Sequence, residues 1–213
     1  EKKLYELGTE GQIDGGPQAF SDTMTEVVRE VAEAAKNPDG ISGISTGFRD
    51  IDKKMGGLHN SDLLIVAGRP GMGKTAFATC LAFNSARCFL DDVQAGKERK
   101  GVAFFSLEMS ASQLAGRILS METQIASDKL RNGRITQEEF QRVVAFAGEL
   151  GKVPLYVDDT PGLTVAAIHN RCRRLKRDAT KGLGLVVIDY LQLIDMSGTS
   201  FKNNMVQALT ETT

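Results

Sequence analysis

The residues best suited to chemistry lie in a glycine-rich segment, residues 68–75, here called the P-loop segment. It reads Gly68-Arg69-Pro70-Gly71-Met72-Gly73-Lys74-Thr75 and matches G-x-x-x-x-G-K-[ST] in full, between an apolar run and an Ala-, Phe- and Leu-rich stretch. In such a loop the backbone N–H groups hold phosphates, Lys74 adds a cation at the β- and γ-phosphates, and Thr75 can ligate Mg²⁺. A glycine-rich turn carrying Lys-Thr by chance is disfavoured by the full match. The segment therefore predicts a site for ATP and Mg²⁺ formed by all eight residues.

A second candidate is the acid at the end of the apolar run Leu185-Val186-Val187-Ile188-Asp189. A carboxylate at the end of a buried strand can hold Mg²⁺ and its waters beside the phosphates. Many strands end in Asp, so this pattern is weak alone. It gains weight because it lies about 110 residues after the P-loop segment, which leaves room for intervening strand–helix units. We therefore expect Asp189 to share the Mg²⁺ with Thr75.

Glu108 is a third candidate, because it directly follows the apolar run Val102–Leu107. If that run forms a strand beside a P-loop strand at Leu63–Ala67, Glu108 lies at the carboxyl edge of the sheet, where ligands of open α/β sheets bind. From there it could polarise the water that attacks the γ-phosphate. The alternative is an acid favoured by the dipole at a helix start. Position alone leaves both interpretations open.

The elements that would position these residues alternate between strands and helices from residue 41 onward. Buried strands are predicted at Leu63–Ala67, Val102–Leu107, Leu155–Val157 and Leu185–Ile188. Capping boxes begin helices at Ser110 and Thr136. Two apolar stripes follow, one of Phe140, Val143, Val144 and Ala147, the other of Val165, Ile168, Cys172, Leu175 and Ala179. The pattern predicts an α/β fold with a mostly parallel sheet flanked by helices.

Residues 1–40 are expected to form a separate linker segment, with the α/β domain occupying residues 41–213. The linker is rich in helix breakers, apart from one amphipathic helix that Ser21 or Asp22 can cap and that the turn at 37–40 ends. Its apolar stripe consists of Met24, Val27, Val28, Val31, Ala32 and Ala35. A short isolated helix is marginal, so the stripe needs a partner surface, either on its own domain or on a neighbouring subunit.

Composition limits the kinds of partner. The net charge of −1 gives no global basic field towards nucleic acid, so DNA contacts would be local or pooled from several copies. Three scattered cysteines without CxxC spacing make a zinc site improbable and fit a reducing cytoplasm. The apolar runs are far shorter than the ~20 residues needed to cross a bilayer, so no membrane association is expected.

Several segments together resemble the DnaB family of hexameric replicative DNA helicases. The approach to the P-loop segment, Ile44 to Asp52 and Gly56-Gly57-Leu58, is similar to that of RecA-like ATPases in general. Three further segments narrow the resemblance to the DnaB family: Ala67 to Thr75, Phe105-Ser106-Leu107-Glu108-Met109-Ser110 and Ile188-Asp189-Tyr190-Leu191-Gln192-Leu193-Ile194. The resemblance extends from about residue 20 to about residue 200.

The resemblance implies a RecA-like ATPase domain, incomplete at its C-terminal end, that works in a homo-hexameric ring on single-stranded DNA. Glu108 would be the catalytic glutamate, and Asp189 the Mg²⁺-holding aspartate. The helix near residues 20–36 would dock on the adjacent subunit. Primase and a helicase loader would be partners. DNA contacts are expected from the channel loop around Asp195–Asn204, including Lys202, Asn203 and Asn204, and from Arg131, for which a solvated loop arginine is at least as good an interpretation.

Other interpretations remain open. The basic stretch 171–177 suggests DNA binding, but its apolar residues fall on the stripe named above, so a solvated outer helix face is favoured. Another RecA-like DNA-dependent ATPase of recombination or repair is one rival function. An ATP-binding ring-assembly module without productive turnover is a second, and DNA-stimulated phosphate release would separate it from a motor. A small-molecule kinase is a distant third.

Overall fold

The computed structural model describes residues 19–35 and 41–195. The chain divides into two compact units between Ser42 and Gly43. The predicted DNA contacts Lys202, Asn203 and Asn204 lie outside the described residues, as do the turn predicted at 37–40 and residues 196–204 of the predicted channel loop. In the first unit, helix α1 spans Phe20–Ala34. It begins before Ser21 and Asp22, so neither of the two residues predicted as its cap precedes it.

The described part of the second unit alternates between helices and strands. Helix α2 spans Arg49–Met55 and α3 spans Lys74–Gln94. Strand β1, Val102–Ser106, is followed by α4 at Ala111–Thr123, α5 at Ser127–Asn132 and α6 at Gln137–Leu150. Strand β2, Leu155–Asp158, leads to α7 at Val165–Arg177, β3 at Leu185–Asp189 and a 3₁₀ turn at Leu191–Leu193. From β1 onward, helices therefore connect successive strands in the described part of the chain.

The three described strands form one parallel sheet in the order β2-β1-β3. In the register of β1 and β3, Val102 lies opposite Leu185 and Ser106 opposite Asp189. Alternate residues of β1 face opposite sides of the sheet. Phe104 packs in a cluster with residues of α3 and α4, whereas Phe105 packs in a second cluster with α7. The predicted parallel sheet with helices on both faces is confirmed.

The two predicted capping boxes are present. Ser110 Oγ accepts a hydrogen bond from the N–H of Gln113, whose side chain in turn accepts from the N–H of Ser110. Thr136 and Glu139 make the same reciprocal pair at the start of α6. Both patterns depend only on residues three apart, so local sequence is sufficient to specify them.

The prediction of a buried strand at Leu63–Ala67 is wrong. This run belongs to no strand of the described sheet, and the side chains of Leu63 and Ile65 are each 61% exposed. An apolar run becomes a buried strand only where neighbouring strands pair with it and helices cover it. Among the described residues, no backbone hydrogen bond joins this run to another segment.

The two predicted helix stripes are only partly buried. On α6, Phe140 is 50% and Val144 56% exposed, and the partly buried positions include Val143 and Leu150. The partly buried face of α6, which contacts α4, is therefore rotated relative to the predicted stripe. On α7, Ile168 is buried and both Cys172 and Leu175 are partly buried, as predicted. Ala179 lies beyond the end of that helix at Arg177.

Candidate active site

The P-loop segment wraps around the start of α3. Gly71 and Gly73 adopt positive φ angles of 79° and 83°, a conformation that side chains with a Cβ rarely take, so the backbone requires glycine there. Helix α3 begins at Lys74 and carries no acidic residue in its first turn. Its N-terminal N–H groups therefore face no competing carboxylate from that turn, and the loop is open to solvent, with Met72 75% exposed.

Lys74 lies near the end of β3, where it contacts an aromatic ring. Its Nζ lies 5.6 Å from the centroid of the Tyr190 ring, and Tyr190 directly follows Asp189. An ammonium group at this distance is attracted to the ring face. Sequence reasoning assigned no role to Tyr190. The sequence signal for Tyr190 was its position directly after Asp189, since Lys74 and Asp189 were both expected beside the phosphates.

Asp189 is 6% exposed, and its Oδ2 has no hydrogen-bond donor among the described residues. A buried carboxylate oxygen without a donor is costly unless a cation neutralises it. The same helix that begins with Lys74 and Thr75 packs against β3. A buried acid with an unpaired oxygen at the end of β3 and a half-buried threonine at the start of α3 would fit Mg²⁺, which also binds water and phosphate oxygens.

No group of three or more His, Cys, Asp or Glu residues that could hold a metal occurs within residues 19–35 and 41–195. The described chain therefore offers no all-protein metal cage. The three cysteines are free thiols, and burial raises the pKa of each above its ordinary value, with the Glu122 carboxylate adding to the effect at Cys80.

Glu108 is exposed two residues beyond the end of β1. The sequence-based placement of β1 beside Leu63–Ala67 is not what the structure shows, because β1 pairs with β2 and β3. Glu108 nevertheless lies at the carboxyl edge of the sheet. Ser106 is opposite Asp189, and the N–H of Leu107 donates to the carbonyl of Asp189 at 2.8 Å. The strand end that carries Glu108 is thus tied directly to the residue that carries the orphaned carboxylate.

The approach to the P-loop segment is held by the buried carboxylate of Asp52 on α2. Its Oδ1 accepts from the N–H and the hydroxyl of Thr46 at 2.9 and 2.7 Å, and its Oδ2 accepts from Ser45 Oγ at 2.7 Å. Burial alone would raise the pKa of Asp52, but these hydrogen bonds outweigh it and lower the pKa. Ser85 Oγ of α3 donates to the carbonyl of Ser45, which joins this network to the P-loop helix.

Comparison with known proteins decides the family. The family profile described as "DnaB-like helicase C terminal domain" matches residues 43–213.

The chain belongs to the DnaB-like helicase C-terminal domain family.

Similar proteins carry related names. This DnaB-like chain is 44% identical over 214 residues to "Replicative DNA helicase DnaB" of Rickettsia typhi, covering 100% of the chain but 42% of that protein. It is 41% identical over 212 residues to the DnaB of Geobacillus stearothermophilus, covering 99% and 44%. It is 40% identical over 194 residues to "Replicative DNA helicase DnaC" of Bacillus subtilis, covering 91% and 40%. The chain therefore spans less than half the length of these relatives.

Two solved structures share the fold of this DnaB-like domain. The structure described as "ATPase Domain of G40P" superposes with a TM-score of 0.75 at 26% identity, over 89% of this chain and 62% of that one. "The Structure Of A DnaB-Like Replicative Helicase And Its Interactions With Primase" gives a TM-score of 0.68 at 27% identity, over 91% and 43%. The predicted RecA-like α/β fold is confirmed.

Of the predicted DNA contacts of the DnaB-like domain, Arg131 alone lies within the described residues. Arg131 is exposed near the end of the short helix α5, and it has no ion-pair or hydrogen-bond partner among the described residues. The basic stretch on α7 is mostly exposed, as expected of a solvated face, but Arg171 departs from that interpretation. It forms an ion pair with Asp158, at the end of β2, and donates to Thr160 Oγ1.

No helix within the described ranges is long and apolar enough to span a membrane.

Proposed function

We propose that this protein is the ATP-hydrolysing motor domain of a replicative DNA helicase, which translocates on single-stranded DNA as a hexameric ring and separates the duplex. The observation that carries the proposal is the convergence of three groups at one edge of the sheet. Lys74 lies against the residue that follows Asp189, Asp189 presents an orphaned buried oxygen, and Glu108 is tied to the same strand end. Membership of the DnaB-like family and relatives named replicative DNA helicases support it.

In this proposal the P-loop segment holds the triphosphate. The backbone N–H groups from Gly68 to Gly73, except at Pro70, which has none, would meet the phosphate oxygens together with the N-terminus of α3. Arg69, Pro70 and Met72 would shape the loop. From its position near the Tyr190 ring, the Lys74 ammonium group would bind the β- and γ-phosphates. The absence of an acid from the first turn of α3 leaves the local field favourable to anions.

Thr75 and Asp189 would hold Mg²⁺. Mg²⁺ would neutralise charge that develops on the phosphate oxygens during transfer. The Thr75 hydroxyl is placed on the first turn of α3, where its backbone carbonyl already accepts from Thr79 Oγ1 at 2.6 Å. The buried Asp189 oxygen is fixed at a strand end and is therefore preorganised.

Glu108 would orient the attacking water and accept its proton. Because Glu108 is exposed at the carboxyl edge of the sheet, solvent water can reach its carboxylate and could be held between it and the γ-phosphate. The strand before it, β1, is fully buried, so the backbone that leads to Glu108 is rigidly held. The other interpretation, an acid favoured at a helix start, is weakened because the capping of α4 is performed by Ser110 and Gln113.

The ring and its partners belong to the same proposal. Homo-hexamer formation would use the exposed apolar stripe of α1. Single-stranded DNA would contact Arg131, Lys202, Asn203 and Asn204. Primase is suggested because one structurally similar helicase is described together with its primase interactions. A helicase loader as partner and a cytoplasmic location are proposed by analogy with the family.

The proposal is tested by measuring phosphate release by the complete gene product with and without single-stranded DNA, alongside unwinding of a forked duplex. A motor should show DNA-stimulated turnover and ATP-dependent strand separation. Stimulated turnover without unwinding would favour another RecA-like ATPase. ATP binding and ring formation without turnover would favour an assembly module.

A further inference from the structure

The position of the Glu108 carboxylate depends on what fixes the turn between β1 and α4. Glu108 has no hydrogen bond or ion pair with another described residue, and it is exposed. Its backbone is held at the upstream end by the Leu107–Asp189 hydrogen bond, and the buried Ser106 Oγ donates to the carbonyl of Met109 at 2.6 Å. The carboxylate is therefore placed by its backbone rather than by partners of its own.

The downstream end of the turn is held by Asp159, which directly follows a different strand, β2. The N–H of Ala111, the first residue of α4, donates to Asp159 Oδ2 at 2.8 Å, although the two residues are 48 positions apart. The capping box leaves this N–H available, because Ser110 Oγ accepts from Gln113. A carboxylate on the first N–H of a helix makes a charge-assisted hydrogen bond and is also favoured by the helix dipole.

The loop that carries Asp159 is itself anchored on both sides. Asp158 forms an ion pair with Arg171 of α7, and its Oδ1 accepts from the N–H and hydroxyl of Thr160 at 3.2 and 2.7 Å. Arg171 also donates to Thr160 Oγ1 at 3.0 Å. The residues before and after Asp159 are thus joined to one helix. A side chain supported in this way can hold its partner to a narrow range of positions.

We propose that Asp159 is a positioning residue for Glu108. By binding the first N–H of α4 it fixes the start of that helix, and with it the place of the Glu108 carboxylate beside the end of β3. The proposal rests on the role in hydrolysis proposed above for Glu108. A water-orienting group must lie within hydrogen-bond reach of its water, and a displacement of about 1 Å can reduce the rate on the order of 100-fold.

Two variants remove the contact from opposite sides. Asp159→Ala removes the acceptor. Ala111→Pro removes the donor at the helix position where proline is best tolerated, and Ser110 already has the extended backbone, φ −67° and ψ 153°, that a residue before proline requires. In the complete gene product, each should lower kcat for ATP hydrolysis about 10- to 100-fold while the KM for ATP changes by less than about threefold.

Three comparisons test whether the effect passes through this hydrogen bond. Asp159→Asn should recover most of the lost kcat, because its amide oxygen still accepts from Ala111. The Asp159→Ala and Ala111→Pro double variant should be no slower than either single variant. Glu138→Ala is the matched control, because it removes an exposed acid from the first turn of α6, which does not carry Glu108, and it should leave kcat unchanged.

The outcomes distinguish the role of Glu108 in hydrolysis from the positioning role of Asp159. Wild-type turnover by Glu108→Gln would overturn the role of Glu108 itself. An inactive Glu108→Gln together with wild-type kcat in Asp159→Ala and Ala111→Pro would overturn the positioning role alone. Multiplying losses in the double variant, or no recovery in Asp159→Asn, would also overturn it. Thermal unfolding verifies folding, and if Asp159→Ala does not fold, Ala111→Pro decides.

Discussion

At the scale of single residues, three side chains from distant parts of the chain divide the proposed chemistry. Lys74 is half-buried and lies near the face of the Tyr190 ring. Asp189 is buried and lacks a donor for one of its oxygens. Glu108 is exposed on a fixed backbone. Each environment suits the role proposed for that residue, which is binding phosphate for Lys74, attracting a cation for Asp189 and contacting water for Glu108.

Lys74→Ala should leave the domain folded and remove turnover. Lys74 is half-buried at the open start of α3, so its loss creates no cavity in the core. Losing one preorganised charge from the phosphates typically lowers a rate by about 10²–10³. Steady-state phosphate release by the complete gene product measures this, with circular dichroism as the folding control. Near-normal hydrolysis by a folded variant would contradict the assignment of the P-loop segment.

Glu108→Gln should separate binding from hydrolysis. The amide keeps the size of the side chain but cannot accept a proton, so ATP affinity should be retained while turnover falls by about 10²-fold or more. A fluorescent ATP analogue reports affinity, and single-turnover phosphate release reports hydrolysis. If both stay at wild-type values, Glu108 is only an acid at a helix start.

At the scale of elements, the P-loop segment is supported through helix α3, which reaches back to the segment 44–47. Ser85 and Asn84 of α3 donate to the carbonyls of Ser45 and Thr46 at 2.9 and 3.4 Å, and Asp52 holds the same two residues from the other side. Gly47, with a φ of 76°, lets the chain turn there, where a Cβ would meet Asn84 at 2.3 Å. This explains physically why the approach to the P-loop segment has such a distinctive sequence.

Asp52→Asn should destabilise the domain in a pH-dependent way. Because the pKa of Asp52 is lowered on folding, its contribution to stability is fully present above the ordinary carboxyl pKa of 3.8 and is lost as the pH falls through the lower folded value. At neutral pH the variant should lose about 1–3 kcal/mol of unfolding free energy. Denaturant unfolding across pH measures this, and the gap to wild type should shrink below pH 3.8. A gap that widens under acid would contradict the proposed role of the Asp52 charge.

The parts of the structure that sequence predicted are those set by short-range pattern. The capping boxes at Ser110 and Thr136 depend on neighbours three residues away, and the apolar runs of the three paired strands are visible locally, although their pairing is not. Burial of Leu63–Ala67 and the orientation of α6 depend on which other segments cover them, which periodicity does not encode. The contact of Lys74 with Tyr190 and that of Asp159 with Ala111 join residues far apart in sequence, so no local pattern indicated either. The assigned roles of Lys74, Glu108 and Asp189 remain predictions.

At the scale of the whole molecule, assembly is expected to depend on the apolar stripe of α1. Met24, Val27, Val28 and Val31 are exposed in the structure, at 44%, 43%, 62% and 63%. Burying such side chains is worth roughly 1.5–3 kcal/mol each before ordering costs. The stripe is therefore large enough to contribute substantially to a subunit interface.

Charges placed at Val27 and Val31 should reduce ring assembly and leave monomer stability nearly unchanged. The double substitution Val27→Glu and Val31→Glu places carboxylates on the stripe, which an apolar groove cannot accommodate. Light scattering measures the mass of the assembly, and thermal unfolding of the monomer is the control. Rings at wild-type concentrations would exclude docking by this stripe. A much lower monomer melting temperature would instead mean that α1 packs on its own domain.

The exposed run Leu63–Val66 has a practical consequence for handling the domain. Its four apolar side chains, 42–61% exposed, form an uncharged and β-prone stretch. Stretches of this kind pair with copies of themselves once other chains reach them. The net charge of the chain, −1, provides almost no repulsion between molecules. Wherever nothing covers them, these four residues should therefore lower the solubility of a preparation containing this domain. Ile65→Lys should raise that solubility, which a precipitation assay would measure.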